Sequence, residues 1–579
     1  MAMEKRWIWK ATPATDVVEA LAQALGIDPT LAALLAQRGV TNFEEAKAFF
    51  RPGWDDLHDP FLMQDMDKAV ERLQQALAKQ EKILIYGDYD VDGCTAVALV
   101  YGFLQIYHQP LLRYQPDRIQ EGYGVTQQGV EWAQSQGVSL MICLDCGITA
   151  HRSIALAKQM GIDTIVCDHH LPEDTLPEAI ALLDPKRADC AYPFKELTGC
   201  GVGFKLLQAF CIRQRIDLDK LLAYSDLLAI SIAADIVPIV GENRLLTLKG
   251  LEQLQKSTRP GLQQLLQHMH HNPDKKLTVS DLVFKIAPRL NAAGRVMHAR
   301  RAADLLLAQN QAEAAEAAEV VEHLNEQRKA IDQQMTQEAL DLLEKLSPVH
   351  CASTVLFKPN WHIGVVGIVA ARCMEYAYRP TIILTQHREG DLIIGSARST
   401  ADFDLHQALS QCADLLEKFG GHQHAAGLAL RPENLIPFAL RFEALAAANA
   451  PSQQVPLPQI VIDAPLRLAQ IDAKFVRVLK QFAPFGPGQH KPIFWAKNLV
   501  AEEVKILKNK FLKCQVREIE GSTTFEAIGF EDFSQFFETL QAQTPFELCF
   551  CIEENYFQQE IRLQLVIKAI RIAEKAPCI

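Results

Sequence analysis

Three carboxylates fall within five residues in the segment GDYDVDG, at Asp88, Asp90 and Asp92. The apolar run before them, KILIY, predicts a strand. On an extended segment, side chains two residues apart share a face, so the carboxylates repel one another unless a cation lies between them. Mg²⁺ or Mn²⁺ is the natural neutraliser, because hard divalent ions prefer oxygen ligands. For this motif alone, a solvated acidic turn or a helix N-cap is the alternative interpretation.

The same pattern recurs further along the chain, where other apolar runs end in acids or histidines. These residues are Asp145 after LMICL, Asp168, His169 and His170 after TIVC, Asp184 after IALL, and Asp235 after ISIAA. If each run is a strand of one parallel sheet, all of these side chains lie along its carboxyl edge. Uncompensated acids there would be strongly destabilising, so the pattern predicts a site for two metal ions. Asp184 and Asp235, taken singly, are also explained as loop-capping residues.

The elements that must position this cluster follow from the alternation of short apolar runs and helical patterns between about residues 82 and 240. That alternation is typical of a doubly wound parallel α/β sheet. The mixed Asp and His set favours Mn²⁺ or Mg²⁺ over structural zinc. The one CxxC segment, Cys143 to Cys146, lies in a predicted strand, where alternation places its sulfurs on opposite faces.

The remaining chain divides by composition. Helix formers without Gly or Pro predict a rigid helix from Asn310 to Leu346, about 55 Å long, between two lobes. A second α/β region follows, then a Pro- and Gln-containing linker, then short strand patterns that predict a small all-β barrel or sandwich. The predicted domains are an N-terminal segment 1–65, a catalytic α/β domain 66–295, a helical connector 296–348, a smaller α/β domain 349–450 and an all-β domain 456–579.

Composition limits the function classes. The chain of 579 residues carries a net charge of −12, which argues against indiscriminate coating of nucleic acid. It shows neither a signal peptide nor an uncharged apolar run of about 18 residues, so we expect a cytoplasmic protein without a membrane segment. From Arg467 to Arg517, eleven Lys and Arg accompany three acids and several aromatic residues, whereas residues 518–560 hold ten acids and no Lys or Arg. This contrast predicts one basic, single-strand-binding face and one acidic face on the last domain.

The strings GDYDVDG, LDCGITA, CDHHLP and IAADIVP, in this order, resemble the DHH phosphoesterase superfamily. The further strings EGYG, APRLNAAGR, WHIGVVGIVAAR and GGHQHAAG resemble one of its families, the RecJ single-strand-specific 5′ to 3′ DNA exonucleases. The resemblance spans nearly the whole chain. It implies a multidomain α/β fold with a parallel-sheet DHH domain, a long connecting helix, a smaller α/β DHH-associated domain and a C-terminal all-β OB-like domain.

The resemblance also implies the ligands of two divalent ions, Mn²⁺ or Mg²⁺, with Asp145 placed to bridge them. The implied ligands are Asp88, Asp90, Asp145, His169, His170 and Asp235, and Asp168 joins them in the catalytic set. Asp168 and Asp92 resemble auxiliary acids that orient the ligands. One departure from the superfamily pattern is Leu84, where some members carry a His, so the rank of Asp92 among the ligands stays open.

The resemblance implies substrate-binding residues in or beside four motifs. They are Arg118 beside EGYG, Arg289 and Asn291 in APRLNAAGR, Ser396 and Arg398 in GSARST, and Gly420, Gly421 and His422 in GGHQHAAG. Arginine suits bidentate phosphate contacts, and a glycine-rich loop can offer backbone N–H groups to an anion. A surface ion pair is the alternative for Arg118, a tight strand-to-strand turn for the glycine-rich loop, and a structural role for His422.

The resulting functional expectation is metal-dependent hydrolysis of single-stranded DNA from its 5′ end to mononucleotides, in repair and recombination. The family further implies a monomer and contact with single-strand-binding protein. Two other functions stay open: a phosphodiesterase of short oligoribonucleotides or cyclic dinucleotides, and a catalytically silent DNA-binding scaffold. The long helix and the barrel argue against the first, and the intact acid and histidine set argues against the second.

Overall fold

The computed structural model describes residues 5–118, 120–256, 259–345, 351–387, 390–449, 458–508, 511–557 and 560–572. The chain divides into two compact units. The larger unit is His58–Pro456, and the smaller combines Met1–Leu57 with Leu457–Ile579.

The larger unit begins with a five-stranded sheet in which every neighbouring pair is parallel. In spatial order the strands are Leu111–Tyr114, Ile83–Gly87, Leu140–Leu144, Asp163–Cys167 and Ala181–Leu183. The strands Ile83–Gly87 and Leu140–Leu144 are buried throughout, as expected for a sheet covered by helices on both faces. The parallel α/β fold predicted for this region is confirmed.

Helices cover this sheet and extend beyond it. They are Met66–Ala78, Val91–Leu104, Gln127–Ser135, His151–Gln159, Gly199–Gln214, Asp219–Leu222, Ser225–Ala234, Gly241–Lys256, Pro260–His268, Val279–Asp281, Ala287–Val296 and Arg300–Leu307. The segment before Asp235, predicted as a strand, is the buried helix Ser225–Ala234. A short apolar run that is buried on all sides has no period to separate helix from strand, which explains this error.

The connecting helix runs from Gln311 to Lys345. It packs against the helices Pro260–His268 and Ala287–Val296 of the first α/β region and against Val366–Ala377 of the second. One stripe of its side chains, including Val321 and Leu324, is buried. The helix is therefore held along its length by both α/β regions.

The second α/β region contains a mixed five-stranded sheet. Its strands, in spatial order, are Lys418–Gly421, Ala425–Leu430, Ile393–Arg398, Thr381–Gln386 and Thr354–Phe357. The last pair is parallel and the other pairs are antiparallel. The helices Val366–Ala377, Leu405–Ser410 and Leu435–Asn449 complete the region.

The smaller unit is a barrel built from both ends of the chain. Its sheet order is Ala464–Pro465, Phe494–Leu507, Phe511–Glu518, Thr524–Asp532, Glu560–Ile572 and Phe546–Phe557, and a further pairing of Phe494–Leu507 with Phe546–Phe557 closes the sheet. The strand Arg6–Trp9 pairs in parallel with Gln459–Ile462. The helices Thr15–Leu25, Pro29–Ala36, Phe43–Phe50, Ala473–Lys480 and Phe537–Gln541 belong to the same unit. The predicted OB-like C-terminal domain is confirmed.

Charges in this barrel are interleaved, so the prediction of separate basic and acidic faces is wrong where the two stretches meet. Lys491 pairs with Glu553 at 2.6 Å and Lys513 pairs with Glu526 at 2.7 Å. Neighbouring strands bring residues distant in sequence side by side, and composition alone does not show this. Three of the aromatic residues in the basic stretch form core instead of surface, namely Phe475, Phe482 and Phe494.

The cysteines serve as apolar core residues. Twelve of the thirteen cysteines in the described ranges are buried, and all thirteen are free thiols. The prediction that Cys143 and Cys146 lie on opposite faces of a strand is wrong, because the strand ends at Leu144 and Asp145 has a φ of 59°. This turn brings both cysteines into one apolar cluster.

Within the described ranges, no single helix has the length and apolar character needed to cross a membrane. The sharply bent pair Thr15–Leu25 and Pro29–Ala36 meets those criteria only when the two helices are taken together.

Candidate active site

The predicted cluster of acids and histidines lies at the carboxyl edge of the parallel sheet. Asp88 follows the strand Ile83–Gly87, and Asp90 caps the next helix by accepting a hydrogen bond of 3.0 Å from the N–H of Gly93. Asp145 follows the strand Leu140–Leu144. Since the strands are parallel and adjacent, these acids emerge at the same edge.

Asp145 and His169 lie at the centre of the cluster. The Nε2 atom of His169 is 3.2 Å from an Asp145 carboxylate oxygen and 3.7 Å from an Asp235 oxygen. Three groups bring their ligand atoms within 4.8 Å of one another: Asp88, Asp90 and Asp145; Asp145, His169 and His170; and Asp92, His169 and Asp235. The six predicted ligands are thus brought together, and Asp145 belongs to two of the three groups.

Burial and mutual repulsion make this set of acids unfavourable on its own. Burial, then the charge of Asp90, raises the pKa of Asp88 well above its usual range. Burial, then the charges of Asp92 and Asp90, does the same to the pKa of Asp145. Burial and Asp92 likewise raise the pKa of Asp235. Such a set is stable as carboxylates only when positive charge is supplied between them.

The donor set fits divalent metal ions. Asp88 Oδ1 and His169 Nδ1 are buried and have no hydrogen-bond partner among the described residues. Burial lowers the pKa of His169 to about 4, so its ring is neutral at pH 7 and keeps a lone pair for a metal. Carboxylate and imidazole donors with no thiolate suit Mn²⁺ or Mg²⁺.

Asp168 holds the backbone of both histidines and the ring of His170. One of its oxygens accepts the backbone N–H groups of His169 at 2.8 Å and His170 at 3.2 Å, and lies 2.7 Å from Nδ1 of His170. Its other oxygen accepts the N–H of Ile148 at 2.9 Å. Against the opposing effect of burial, these bonds lower the pKa of Asp168 to about 2 and raise that of His170 to about 9. Asp168 therefore fixes the position of His170 beside the cluster.

Asp92 is held by the helix Gly199–Gln214. Its oxygens accept the N–H groups of Gly199 at 2.6 Å and Cys200 at 3.0 Å, and the hydroxyl of Ser231 at 2.6 Å. An acid at a helix N-terminus is stabilised by the exposed N–H groups there. Leu84, the departure from the superfamily pattern, is a fully buried core residue.

A cluster of arginines lies near the acids. Burial, followed by repulsion from Arg118 and Arg398, lowers the pKa of Arg295 to about 9. Burial and Arg118 also lower the pKa of Arg398, whose guanidinium donates to the Ser396 hydroxyl at 2.8 Å. Arg118 lies over the Tyr89 ring, 5.0 Å from its centroid. Guanidinium groups gathered in this way suit an anion such as phosphate.

The predicted residues Arg289 and Asn291 lie in the helix Ala287–Val296. Arg289 pairs with Glu322 of the connecting helix at 2.6 Å, so its charge is already engaged. The residue of this helix that joins the arginine cluster is Arg295, at the end of the same APRLNAAGR string. The sequence prediction included this string but did not name Arg295 as a site residue.

The GGHQHAAG segment is a hairpin between the strands Lys418–Gly421 and Ala425–Leu430. Gly421 has a φ of 140°, and a Cβ there would lie 2.4 Å from the carbonyl oxygen of Ala425, so glycine is required. The segment therefore forms a tight turn between two strands. Burial, followed by the charges of His170 and Lys186, lowers the pKa of His422, so the hairpin lies within electrostatic reach of the DHH triplet.

Sequence reasoning also missed two residues beside the cluster. The Tyr123 hydroxyl is 2.9 Å from Nε2 of His170, and EGYG was the only signal for it. Burial and neighbouring charged groups have the largest effects on the pKa values of His169 and Asp235. The charge of Lys186 makes a smaller contribution, which lowers both pKa values. Lys186 follows the strand Ala181–Leu183 at the same sheet edge.

Comparison with known proteins agrees with this architecture. Family models match in three parts: the DHH family N-terminal domain at residues 82–232, the DHHA1 domain at 349–447 and the RecJ OB domain at 462–569. The single-stranded-DNA-specific exonuclease RecJ of Salmonella typhimurium is 33% identical over 94% of this chain and 96% of its own length. The chain belongs to the RecJ family. The RecJ of Bacillus subtilis is 37% identical over 92% of this chain, which spans 66% of that longer protein.

A solved RecJ structure from Thermus thermophilus, in complex with Mn²⁺, superimposes with a TM-score of 0.84 at 27% identity, covering 99% of this chain and 80% of that one. The Mg²⁺ complex of the same protein gives a TM-score of 0.76 at 26% identity, with 98% and 79% covered. RecJ relatives thus hold the two ions that the donor set of this chain fits.

Proposed function

We propose that this RecJ-family chain is a metal-dependent exonuclease that hydrolyses single-stranded DNA from its 5′ end and releases mononucleotides. The observation that carries the proposal is the placement of two kinds of group in one unit. Three overlapping clusters of acids and histidines that could hold a metal ion lie at the sheet edge, and after burial the charges of Arg118 and Arg398 lower the pKa of nearby Arg295. The first group suits phosphodiester hydrolysis, and the second suits an anionic chain end.

The chemistry assigned to each residue follows from its contacts. Asp88, Asp90, Asp145, His169, His170 and Asp235 are proposed to hold two divalent ions. Bound there, such ions lower the pKa of water and stabilise charge on phosphate oxygens. Asp168 holds Nδ1 of His170 in a hydrogen bond, while Nε2 of that ring lies 2.9 Å from the Tyr123 hydroxyl. The helix Gly199–Gln214 holds Asp92 against the cluster through backbone N–H groups.

Arg398 and Ser396, together with Arg118 and Arg295, are proposed to bind the 5′ phosphate. Their mutual repulsion is relieved when a phosphate binds among them. The hairpin of Gly420, Gly421 and His422 is proposed to add backbone N–H contacts to the same end of the strand. Asn291 is proposed to contact the DNA backbone near the 5′ phosphate, whereas Arg289 is left out because its charge is paired with Glu322.

The test is a panel of substrates incubated with Mn²⁺ or Mg²⁺: single strands labelled at the 5′ or the 3′ end, duplex DNA and a dinucleotide RNA. We expect mononucleotides from the 5′ end of single strands, slow attack on duplex, and no product with EDTA. His169→Ala should abolish hydrolysis and leave single-strand binding intact. Cleavage of the dinucleotide alone would indicate a small-substrate phosphodiesterase, and binding without any metal-dependent product would indicate a scaffold.

The biological setting is proposed on family grounds. We propose a role in DNA repair and recombination, a cytoplasmic location, contact with single-strand-binding protein and a monomeric state. Analytical ultracentrifugation, with and without a single-strand-binding protein from the same source, tests the last two points directly.

A further inference from the structure

Ile236 directly follows Asp235 and has a φ of 61°. Asp235 is the C-cap of the helix Ser225–Ala234, so Ile236 is the first residue beyond the helix end. Glycine is usual there, because its missing Cβ removes the cost of a left-handed conformation. Of the eleven non-glycine residues with positive φ in the described ranges, Ile236 alone is β-branched. A β-branched residue in this conformation is a true outlier and points to a functional constraint.

Packing does not account for this isoleucine, because its side chain is 65% exposed. The next residue, Val237, is buried, so it is the apolar residue of this helix end that packs into the protein. Glycine or asparagine would end the helix in the same backbone conformation with less strain. The isoleucine side chain therefore has a use on the exposed side of the turn.

A second large apolar side chain is also exposed and also directly follows a predicted metal ligand. Leu171 directly follows His170 and is 64% exposed. The turns that carry Leu171 and Ile236 meet at the site, since Nε2 of His169 is 3.7 Å from an oxygen of Asp235. We call Leu171 and Ile236 the apolar rim. Apolar side chains offer nothing to a phosphate, but they suit the flat, uncharged face of a nucleobase, and such contact tolerates any base.

We propose that the apolar rim contacts the nucleobase beside the scissile phosphate, and that Ile236 is retained in a strained conformation for this contact. The inference rests on the proposed function, in which single-stranded DNA is cut at this site. The rim holds the base while the arginines hold the phosphate end, so the strand is positioned by two chemically different contacts.

The test compares kcat/KM on oligonucleotides that are intact or carry an abasic analogue at the first or the second position from the 5′ end. For the wild-type protein we expect an abasic analogue at one of these positions to lower kcat/KM by about fivefold. In Ile236→Asn the abasic analogue should no longer lower kcat/KM, whereas in Ile236→Val it should still lower kcat/KM by about fivefold. The Tm of Ile236→Asn should rise, because asparagine tolerates positive φ.

Gln80→Asn is the matched backbone control, because Gln80 is exposed and has a φ of 53°. Gln80→Asn should raise the Tm and leave the loss of kcat/KM caused by an abasic analogue unchanged. If Ile236→Asn lowers kcat/KM equally on intact and abasic strands, the residue acts through Asp235 and the proposal is wrong. It is also wrong if the wild-type protein is indifferent to abasic analogues at both positions. Absence of wild-type cleavage of any single strand would instead refute the proposed function.

Discussion

At the residue scale, the bond between Asp168 and His170 fixes the orientation of that imidazole. Asp168 lies 2.7 Å from Nδ1, and the Tyr123 hydroxyl lies 2.9 Å from Nε2. Asp168→Asn should weaken Mn²⁺ binding by about 10- to 100-fold, as is typical when the partner of a metal-binding histidine is removed. Isothermal titration calorimetry measures this. Asp163→Asn is the control, because Asp163 lies at the other end of the same strand and pairs with Arg72. Unchanged affinity in Asp168→Asn would contradict the orienting role.

The arginine cluster allows a second test at this scale. Arg295→Gln removes one of three guanidinium groups, so the preference for a 5′-phosphorylated strand over a 5′-hydroxyl strand should fall by about tenfold. Fluorescence anisotropy in EDTA measures binding without cleavage. Arg431→Gln serves as the control, because Arg431 is an exposed partner of Glu417. An equal loss of affinity for both strands would show that Arg295 contributes only general electrostatic attraction.

The sequence predicted that the acids and histidines lie together, because they follow successive apolar runs, and the structure brings them together. It did not select Tyr123, Arg295 or Ile236. Tyr123 is defined by a 2.9 Å contact to a histidine 47 residues away, and Ile236 by a backbone angle. Neither a distance across the fold nor a φ value leaves a pattern in one sequence. Arg289 is implied by the family resemblance of the APRLNAAGR string, and its Glu322 partner appears only when two helices pack.

At the scale of elements, the helix Gly199–Gln214 must approach the site closely for its N–H groups to reach Asp92. A Cβ on Gly199 would lie 2.4 Å from the Cβ of Asp145. Gly199→Ala should therefore lower the free energy of unfolding by about 1–3 kcal/mol and weaken Mn²⁺ binding, because the helix and Asp145 must separate. Urea denaturation and calorimetric titration measure the two effects.

Gly201 offers a control in the same helix. Its nearest neighbours would be 3.4 Å from an added Cβ, which is an ordinary contact. Gly201→Ala should keep metal affinity and leave stability unchanged or raise it by up to about 1 kcal/mol, since alanine favours helix. Equal behaviour of the two variants would mean that the approach of the helix to Asp145 is not tight.

The elements themselves were predictable where their burial left a pattern. Parallel strands buried on both faces appear as short apolar runs, and four such runs were placed correctly. The connecting helix has a predicted span of Asn310 to Leu346 and an observed span of Gln311–Lys345, with Leu346 outside the described residues. The helix Ser225–Ala234 was mistaken for a strand for the same reason that the strands were found, because it is apolar on every side.

For the whole molecule, the two ends of the chain form one unit. The pairing of Arg6–Trp9 with Gln459–Ile462 joins segments about 450 residues apart, and no local sequence pattern predicts such a pairing. Leu31, Leu34 and Leu35 of the helix Pro29–Ala36 belong to the same core cluster as the barrel residue Phe494. The N-terminal helices are thus part of the barrel's core, so its stability depends on residues far from it in sequence.

Leu35→Ala should consequently destabilise the smaller unit by about 2–5 kcal/mol, because it empties space in that shared core. Differential scanning calorimetry of the full chain measures this, since large units can unfold in separate transitions. We expect Mn²⁺ to raise the Tm of the larger unit, because all of the proposed metal ligands lie in it, and this identifies the two transitions. Leu35→Ala should lower the Mn²⁺-insensitive transition. Leu73→Ala, at a fully buried position in the larger unit, should lower the other. A single transition lowered equally by both variants would mean that the two units unfold as one.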